Sequence, residues 1–346
     1  MLYFNNDYNE ICHPAVLKKM TESAGVQNPG YGTDDCCARA AELIRKKCAA
    51  PNAAVHFLVG GTQTNLTVIA ASLRPHQGVI AADSGHVNVH ETGAIEATGH
   101  KVILVHTPDG KVCPDQVAKI VESQSLSMDA EHIVQPKMVY ISNPTEYGTM
   151  YSLAELEALS ALCKEKGLYL YVDGARMGYG LAAKNNDAAL PDYARLCDAF
   201  YIGGTKVGAM FGEIVVIPNA SIAEDFRYLM KQRGGMLAKG WLLGLQFEAL
   251  FENDLYLQIS AHADKMADQI RKTLADIGCS LFLPGETNQI FVTLPDSLLA
   301  ELGKEFTFAT WEKADKDYTT VRFCTSWATA QENVHKLCSA LVRLSK

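Results

Sequence analysis

The stretch 168-LYLYVDGAR-176 decides the fold. An unbroken apolar strand ends at Asp173, and the segment before it, 152-SLAELEALSALCKEKG-167, has the pattern of a helix that begins at a Ser152 cap with Glu155 three residues on. Helices that alternate with short apolar strands are typical of βαβ units and a mostly parallel sheet. Functional side chains of such sheets gather at the carboxyl ends of the strands, so Asp173 is a candidate site residue. An aspartate after a strand also commonly caps a turn.

The same alternation extends over most of the chain. The sequence predicts further short apolar strands at 54–60, 78–83, 101–106, 137–143, 198–204 and 213–218, with helices between several of them. Unbroken apolar strands are buried on both faces, so helices are expected to cover both sides of the sheet. The predicted fold class is therefore α/β.

The pattern changes after Pro218. A long helical stretch is predicted from about Leu237 to Ala275, and strands 289–294 and 319–326 and a terminal helix 330–344 follow it. We therefore predict an N-terminal arm and large domain over residues 1–236, and a smaller C-terminal α+β domain over residues 237–346.

Composition excludes several classes of protein. Of the 346 residues, 48% are hydrophobic and 20% are charged, and the formal net charge is −8 with no run of Lys or Arg. A surface for nucleic acid or an anionic membrane is therefore not expected. None of the ten cysteines forms a C-x-x-C pair, which favours a reducing compartment. Because 1-MLYFNNDYNE-10 has no signal-peptide pattern and no apolar stretch reaches membrane-spanning length, we predict a cytoplasmic protein.

A lysine inside a glycine-rich turn lies 30 residues after Arg176. In 201-YIGGTKVGAMFGE-213, Lys206 has glycines on both sides, and glycine lets the backbone approach a bulky ligand. Pyridoxal phosphate (PLP) enzymes need such a lysine, which carries the cofactor covalently, and an acid that keeps the pyridine nitrogen protonated. A lone lysine is usually structural, but Lys206 together with Asp173 predicts a PLP site.

A second glycine-rich turn offers a place for the cofactor's phosphate. The segment 60-GGTQTN-65 lies between a predicted strand and a predicted helix. A helix N-terminus presents free N–H groups and the positive end of the helix dipole to an anion. The segment is neither a Walker loop nor G-x-G-x-x-G, so a Rossmann dehydrogenase is a poor alternative.

Three further side chains each leave two interpretations open. His86 is either structural or stacked on a flat cofactor ring; His90 and Glu91 leave a metal site possible, but no third ligand is evident and we predict no metal. Glu146 is either a loop acid or a base, since burial raises a carboxyl pKa toward neutrality. Arg322, inside a predicted strand, needs an anionic partner, which is either a structural acid or a substrate carboxylate.

With these motifs assembled, the chain resembles the low-specificity L-threonine aldolases and their β-eliminating lyase relatives, which are fold-type I PLP-dependent enzymes with an aspartate aminotransferase-like large domain. The likeness extends from the helix near His13 to the strand that contains Arg322. The resemblance implies that Lys206 carries PLP, that Asp173 pairs with the pyridine nitrogen and that His86 stacks on the ring. It also implies that the phosphate is held by Gly61 and Thr62.

On the substrate side, the resemblance implies that Arg322 binds the amino acid carboxylate and that Arg176 lies near both the cofactor and the substrate. Asn6 stands where the family usually has a serine that touches the same carboxylate. The family's T-H-N-G turn reads T-E-Y-G here, which puts Glu146 in place of a histidine, and its G-G-M-R segment reads 234-GGML-237. The arginine lost there leaves Lys231, Arg233 and Lys239 as candidates to replace its charge.

The function implied is that of a carbon–carbon lyase. It would cleave L-threonine, L-allo-threonine or a related β-hydroxy-α-amino acid, such as phenylserine, to glycine and an aldehyde. Glu146 leaves the preferred aldehyde open. A PLP-dependent β-eliminating lyase on a Cβ-substituted amino acid is one alternative, and a non-catalytic binding protein on the same fold is another. The resemblance further implies a homodimer or homotetramer, because sites of this fold type are built at a dimer interface.

Overall fold

The computed structural model describes residues 1–345, and a seven-stranded sheet forms its centre. The sheet has the strand order β2-β8-β7-β6-β5-β3-β4. Its strands are β2 (Ala54–Leu58), β3 (Gln77–Ala82), β4 (Val102–Val105), β5 (Gln135–Ser142), β6 (Tyr169–Asp173), β7 (Ala199–Gly203) and β8 (Glu213–Ile217). Strand β8 runs antiparallel to both of its neighbours, whereas the other adjacent strands are parallel. The predicted α/β fold with a mostly parallel sheet is confirmed.

Helices cover both faces of this sheet, and each face has its own buried apolar cluster. The helices before the second sheet are α1 (Pro14–Glu22), α2 (Asp35–Lys47), α3 (Gly61–Ser72), α4 (His86–Val89), α5 (Pro114–Leu126), α6 (Leu153–Lys166), α7 (Met177–Ala182), α8 (Leu190–Leu196), α9 (Ala220–Ala223), α10 (Phe226–Gln232), α11 (Trp241–Phe251) and α12 (Leu255–Asp276). In residues 1–345, no helix combines the length and the apolar character needed to cross a membrane.

A smaller antiparallel sheet, with the order β11-β12-β9, follows α12. It consists of β9 (Gln289–Pro295), β11 (Ala309–Lys313) and β12 (Tyr318–Cys324), and it packs with α13 (Asp296–Leu302) and α14 (Gln331–Leu344) around a third apolar cluster. A separate two-stranded parallel ladder joins the N-terminus to this region, because β1 (Leu2–Tyr3) pairs with β10 (Phe306–Thr307). The predicted smaller C-terminal α+β unit is thus present.

The long helical stretch predicted from Leu237 to Ala275 is two helices. The chain turns between α11 and α12, where Asn253 and Asp254 both take left-handed backbone angles. Helix α11 packs on α2, while α12 contacts α7 and α14. The division of the chain at residues 236 and 237 stays a prediction.

Local capping explains how α6 delivers Asp173 to the end of β6. The Ser152 hydroxyl accepts a hydrogen bond from the Glu155 amide, and the Glu155 carboxylate accepts one from the Ser152 amide at 2.8 Å. The helix ends at Gly167, whose φ of 65° suits a residue without a Cβ. The chain then enters β6 at once, so its last residue lies at the carboxyl edge of the sheet.

Candidate active site

A cleft of about 320 Å³ opens at the carboxyl ends of the parallel strands. Its volume lies within the range of small-molecule sites. Most of the residues predicted from the sequence meet there, from the ends of several strands, whereas Asn6 and Arg322 are not among the residues that line it. The cleft is lined by Gly61, Thr62, His86, Glu146, Asp173, Arg176, Lys206 and Glu213, among others.

Asp173 lies at the bottom of the cleft and is almost fully buried. Its Oδ2 atom accepts hydrogen bonds from the Tyr140 hydroxyl at 2.6 Å and from Asn65 Nδ2 at 3.0 Å, and its Oδ1 atom accepts one from the Ala175 amide. Burial acts to raise the pKa of this carboxyl, but the charge of His86 and these hydrogen bonds outweigh it and hold the pKa below its usual value. Asp173 is therefore an ionised carboxylate, as a partner for a protonated pyridine nitrogen must be.

Lys206 reaches the same cleft from the turn after β7. The turn is tight: a Cβ atom on Gly203 would lie 2.2 Å from the carbonyl oxygen of Ala175, and Gly208 has a φ of 83°. Burial, and then the charge of Arg176, lower the pKa of the Lys206 amine. A lowered pKa increases the neutral fraction of the amine, which is the form that attacks a carbonyl carbon.

The N-terminus of α3 forms one end of the cleft, as the phosphate prediction requires. Gly60 is the N-cap and Gly61 the first helical residue, and a Cβ atom on Gly61 would lie 3.0 Å from the Tyr201 hydroxyl. Of the three basic residues proposed to replace the lost arginine, Arg233 touches this helix, since its carbonyl accepts a hydrogen bond from Gln63 Nε2 at 3.1 Å. Its buried Nε atom has no hydrogen-bond partner. Free amides at the start of α3, Lys206 and the ionised Asp173 together fit PLP.

His86 is the first residue of α4, and a carboxylate holds its ring. The Nδ1 atom of His86 lies 2.7 Å from Glu91 Oε1, which also accepts a hydrogen bond from Asn65 Nδ2 at 2.7 Å. The same Asn65 nitrogen donates to Asp173. The Asn65 amide therefore bridges two carboxylates: Glu91, which holds His86, and Asp173, the predicted partner of the cofactor nitrogen. The sequence interpretation considered Glu91 only as a metal ligand and missed this contact. Within residues 1–345 no group of three His, Cys, Asp or Glu side chains is placed to bind a metal ion.

Glu146 faces the cleft from the turn after β5. Its Oε1 atom accepts a hydrogen bond from the His86 amide at 2.8 Å and another from Ser142 Oγ at 2.6 Å. Burial, and to a lesser degree the charge of Asp173, raise the pKa of Glu146. With two donors on Oε1, the oxygen that remains to take a proton is Oε2.

Arg176 is engaged by an acid that the sequence interpretation missed. Its Nε and Nη2 atoms donate to the two carboxylate oxygens of Asp7 at 2.8 and 3.0 Å. The Asp7 side chain is fully buried and also accepts a hydrogen bond from Asn288 Nδ2 at 2.9 Å. Although burial acts to raise the pKa of Asp7, the charges of Arg176 and Lys206 lower it overall. Because Asp7 occupies one polar edge of Arg176, the carboxylate of a substrate needs another partner.

Arg322 retains an unused donor. Its Nη1 atom donates to Gln289 Oε1 and its Nη2 atom to the Asn5 carbonyl, both at 3.0 Å, whereas its buried Nε atom has no hydrogen-bond partner. The charges of Arg322, Lys206 and Arg176 all reach His90 and help to lower its pKa, after burial. Asn6 accepts a hydrogen bond from the amide of Tyr8, and Tyr8 is the arm residue that lines the cleft.

Glu213 is a second carboxyl that the sequence interpretation did not assign. It begins β8, is buried, and its Oε2 atom accepts a hydrogen bond from the Gly204 amide at 3.0 Å. Burial raises its pKa to about 8. An acid at the start of the otherwise apolar segment 213-EIVVIP-218 was the available signal.

Comparisons with known proteins agree with this geometry. The family described as Beta-eliminating lyase matches residues 11–297. The chain is 32% identical to a low specificity L-threonine aldolase of Pseudomonas aeruginosa, over 97% of this chain and 95% of that protein. A solved structure described as a Leishmania major threonine aldolase covers 100% of both chains, with 46% identity and a TM-score of 0.98.

More distant structures share only the fold. An aspartate aminotransferase of Thermus thermophilus is 17% identical, and the alignment covers 99% of this chain and 91% of the other with a TM-score of 0.73. The predicted aspartate aminotransferase-like architecture, with its large and small units, is thereby confirmed.

Proposed function

The chain belongs to the β-eliminating lyase family, and from that premise we propose that it cleaves L-threonine, L-allo-threonine or a related β-hydroxy-α-amino acid to glycine and an aldehyde. The observation that carries the proposal is the meeting of Lys206 and ionised Asp173 in one cleft. Two relatives that cover nearly the whole chain support the same reaction, because they are named threonine aldolases.

PLP is the family's cofactor, and six residues are proposed to hold it. Lys206 would carry it covalently, Asp173 would pair with its ring nitrogen, and His86, whose own ring is held by Glu91, would pack against it. The free amides at Gly61 and Thr62 bind its phosphate, and we infer that Arg233 adds the positive charge. When bound, PLP supplies the electron sink that accepts the electron pair of the broken bond.

The protein's own groups orient the substrate and move its protons. Arg322 is proposed to bind the carboxylate through its guanidinium group and thereby to set the direction of the bond to be cleaved. Arg176, held by Asp7, lines the cleft and contributes positive potential beside the cofactor and the substrate. Glu146 accepts the β-hydroxyl proton at Oε2, because Oε1 is occupied by two donors. Its raised pKa places it closer to neutrality, which favours a base that must also release its proton.

Glu146 also supports a proposal about the aldehyde. The turn that carries it continues into Tyr147, whose ring lies 5.5 Å from that of Trp311 and 6.2 Å from that of Phe291, measured between ring centres. These aromatic rings from the small sheet lie next to the substrate-side turn. An aromatic β-substituent, as in phenylserine, is therefore included among the proposed substrates.

The experiment is a product assay on the PLP-loaded protein. L-Threonine, L-allo-threonine and phenylserine are supplied in turn, and glycine and aldehyde are measured together. Equal amounts of glycine and aldehyde support the proposal. Formation of a keto acid and ammonia instead would identify the alternative, a PLP-dependent β-eliminating lyase, which the family name also accommodates.

A variant separates catalysis from binding. Lys206→Ala should remain folded and lose both turnover and the cofactor that borohydride fixes to the chain. Mapping of the reduced wild-type protein should place the cofactor on Lys206. Cofactor fixed to another lysine would refute the assignment. Wild-type protein that binds PLP but releases no product from any of these amino acids would favour a non-catalytic binding protein.

The proposal also covers the oligomeric state and the cellular compartment of the protein. We infer a homodimer or homotetramer, because the segment before α2 leaves large apolar side chains exposed, including Ile11, Leu17 and Tyr31, which a second copy would cover. Sedimentation velocity tests this. We also infer a reducing compartment such as the cytoplasm, because all ten cysteines are free thiols and seven of them are buried.

A further inference from the structure

Two hydroxyl groups on β5 connect the carboxyl on the substrate side with the carboxyl under the cofactor. Tyr140 and Ser142 are two residues apart on the strand, so their side chains point to the same face. The Tyr140 hydroxyl donates to Asp173 Oδ2 at 2.6 Å and lies 3.3 Å from Ser142 Oγ, which in turn lies 2.6 Å from Glu146 Oε1. The contacts form an unbroken line from Glu146 to Asp173.

The protons of the two hydroxyl groups determine which way the hydrogen bonds in this line point. Each hydroxyl has one proton to donate. While Glu146 is ionised, Ser142 donates to it and Tyr140 donates to Asp173, so no proton lies between the two hydroxyl oxygens. Once Glu146 takes up a proton at Oε2, its neutral Oε1 accepts hydrogen bonds more weakly, and the Ser142 proton can then turn toward Tyr140. All donors then point toward Asp173, and no proton is transferred along the line.

Because these groups are buried, the reorientation of the two hydroxyls affects the hydrogen bond to Asp173. Tyr140 is 1% exposed, Asp173 2% and Ser142 8%, and hydrogen bonds in such buried chains polarise one another. Burial raises the pKa of the Tyr140 hydroxyl well above its usual value, so Tyr140 keeps its proton and acts only as a donor and acceptor. Other polar or titratable groups near Glu146 are the amide and ring of His86, Asp173, Tyr147 and Tyr151.

We propose that Ser142 and Tyr140 are positioning residues that link the protonation of Glu146 to the hydrogen bonding of Asp173. A proton taken up by Glu146 from the substrate strengthens the donation from Tyr140 to Asp173, and this weakens the pull of Asp173 on the cofactor nitrogen. The inference rests on the proposed place of PLP over Asp173, and it requires no particular amino acid substrate.

The test follows the absorbance of the bound cofactor against pH in the holoenzyme without substrate. Glu146→Gln removes the titrating carboxyl and is expected to move the pH midpoint of the cofactor band. In a Tyr140→Phe or Ser142→Ala background, the same substitution should move the midpoint by half as much or less, because only the direct effect of the charge remains. A full-sized effect in both backgrounds, or no effect of Glu146→Gln in the wild type, would overturn the proposal.

A matched control separates the line from general changes in the buried tyrosines. Tyr171 is equally buried, but its hydroxyl donates to Asn65 Oδ1 at 2.7 Å and makes no contact with Ser142 or Glu146 among the hydrogen bonds of residues 1–345. Tyr171→Phe should therefore leave the effect of Glu146→Gln at full size. An effect reduced equally by Tyr171→Phe would also refute the proposed line.

The readout requires no turnover, so it decides the proposal even if the protein cleaves none of the amino acids offered. If Tyr140→Phe fails to fold by circular dichroism, Ser142→Ala alone decides, since it removes one hydroxyl and no ring.

Discussion

Substitution of Asp7 by Asn tests the ion pair that holds Arg176. Asn keeps the size of the side chain but removes the charge, and so leaves a guanidinium with a 12% exposed side chain opposite a neutral amide. Breaking a buried ion pair by removing one partner typically costs about 3–5 kcal/mol. We therefore expect Asp7→Asn to lower the free energy of unfolding by about that amount at pH 7.

The matched control is Glu157→Gln. Glu157 pairs with Arg195 at 2.9 Å, which is close to the distance in the buried pair. Unlike that pair, both the glutamate and the arginine side chain are about half exposed. Solvent screens such a pair, so its loss should cost much less than the loss of the buried pair. Urea titrations of both variants and the wild type, followed by circular dichroism, give the comparison. Equal small losses in the two variants would refute the view that Asp7 neutralises Arg176.

The same pair predicts a pH dependence. The folded pKa of Asp7 is lowered from its ordinary value of 3.8, so its contribution to stability is present above that value and is lost as the pH falls through the folded pKa. The difference between wild type and Asp7→Asn should therefore be constant near neutrality and shrink in acid. A difference that persists unchanged below the folded pKa would mean that the effect is steric.

Three further predictions address the cleft. Asp173→Asn should bind PLP but lower turnover by roughly a hundredfold or more, as for other positioned electrostatic groups, and near-normal turnover would leave Asp173 as a turn cap. Arg322→Lys keeps the charge but loses the planar donor set, so glycine, titrated against the cofactor spectrum, should bind more weakly; unchanged affinity would place the carboxylate elsewhere. Glu213 has an ordinary pKa of 4.5 and a folded pKa of about 8. Its contribution to the free energy of unfolding is present below pH 4.5 and is lost as the pH rises toward 8, by an amount on the order of 5 kcal/mol. Glu213→Gln should flatten that loss in urea titrations of the cofactor-free protein at pH 5 and pH 8.5, and an unchanged slope would contradict the buried, protonated carboxyl.

The parts of the fold that could be predicted are those with a local signal. Apolar runs bounded by glycine or by a cap gave the strands of the large sheet, and Ser152 with Glu155 gave the start of α6. The direction of β8 could not be predicted, because an apolar run looks alike in parallel and antiparallel sheets. The break between α11 and α12 lacks glycine and proline, since Asn253 and Asp254 make the turn instead.

The residues of the candidate site likewise divide into those with a local sequence signal and those without one. Asp173 and Lys206 were predicted because each follows a strand and stands in a recognisable turn. Asp7 and Tyr140 were missed, because their roles depend on partners far away in the chain: Asp7 pairs with Arg176, 169 residues later. An acid in a polar arm has no periodicity that distinguishes it from a solvated one, and only the packed structure shows that it is buried.

The pairing of β1 with β10 has a consequence for the order of events during synthesis. Phe306, the partner of Leu2, is made 304 residues after it. At roughly 5–20 residues per second, this delay is about 15–60 s. Until β10 has been made, the arm that carries Asp7 has no strand to join. This pairing can therefore hold Asp7 beside Arg176 only after Phe306 has been made.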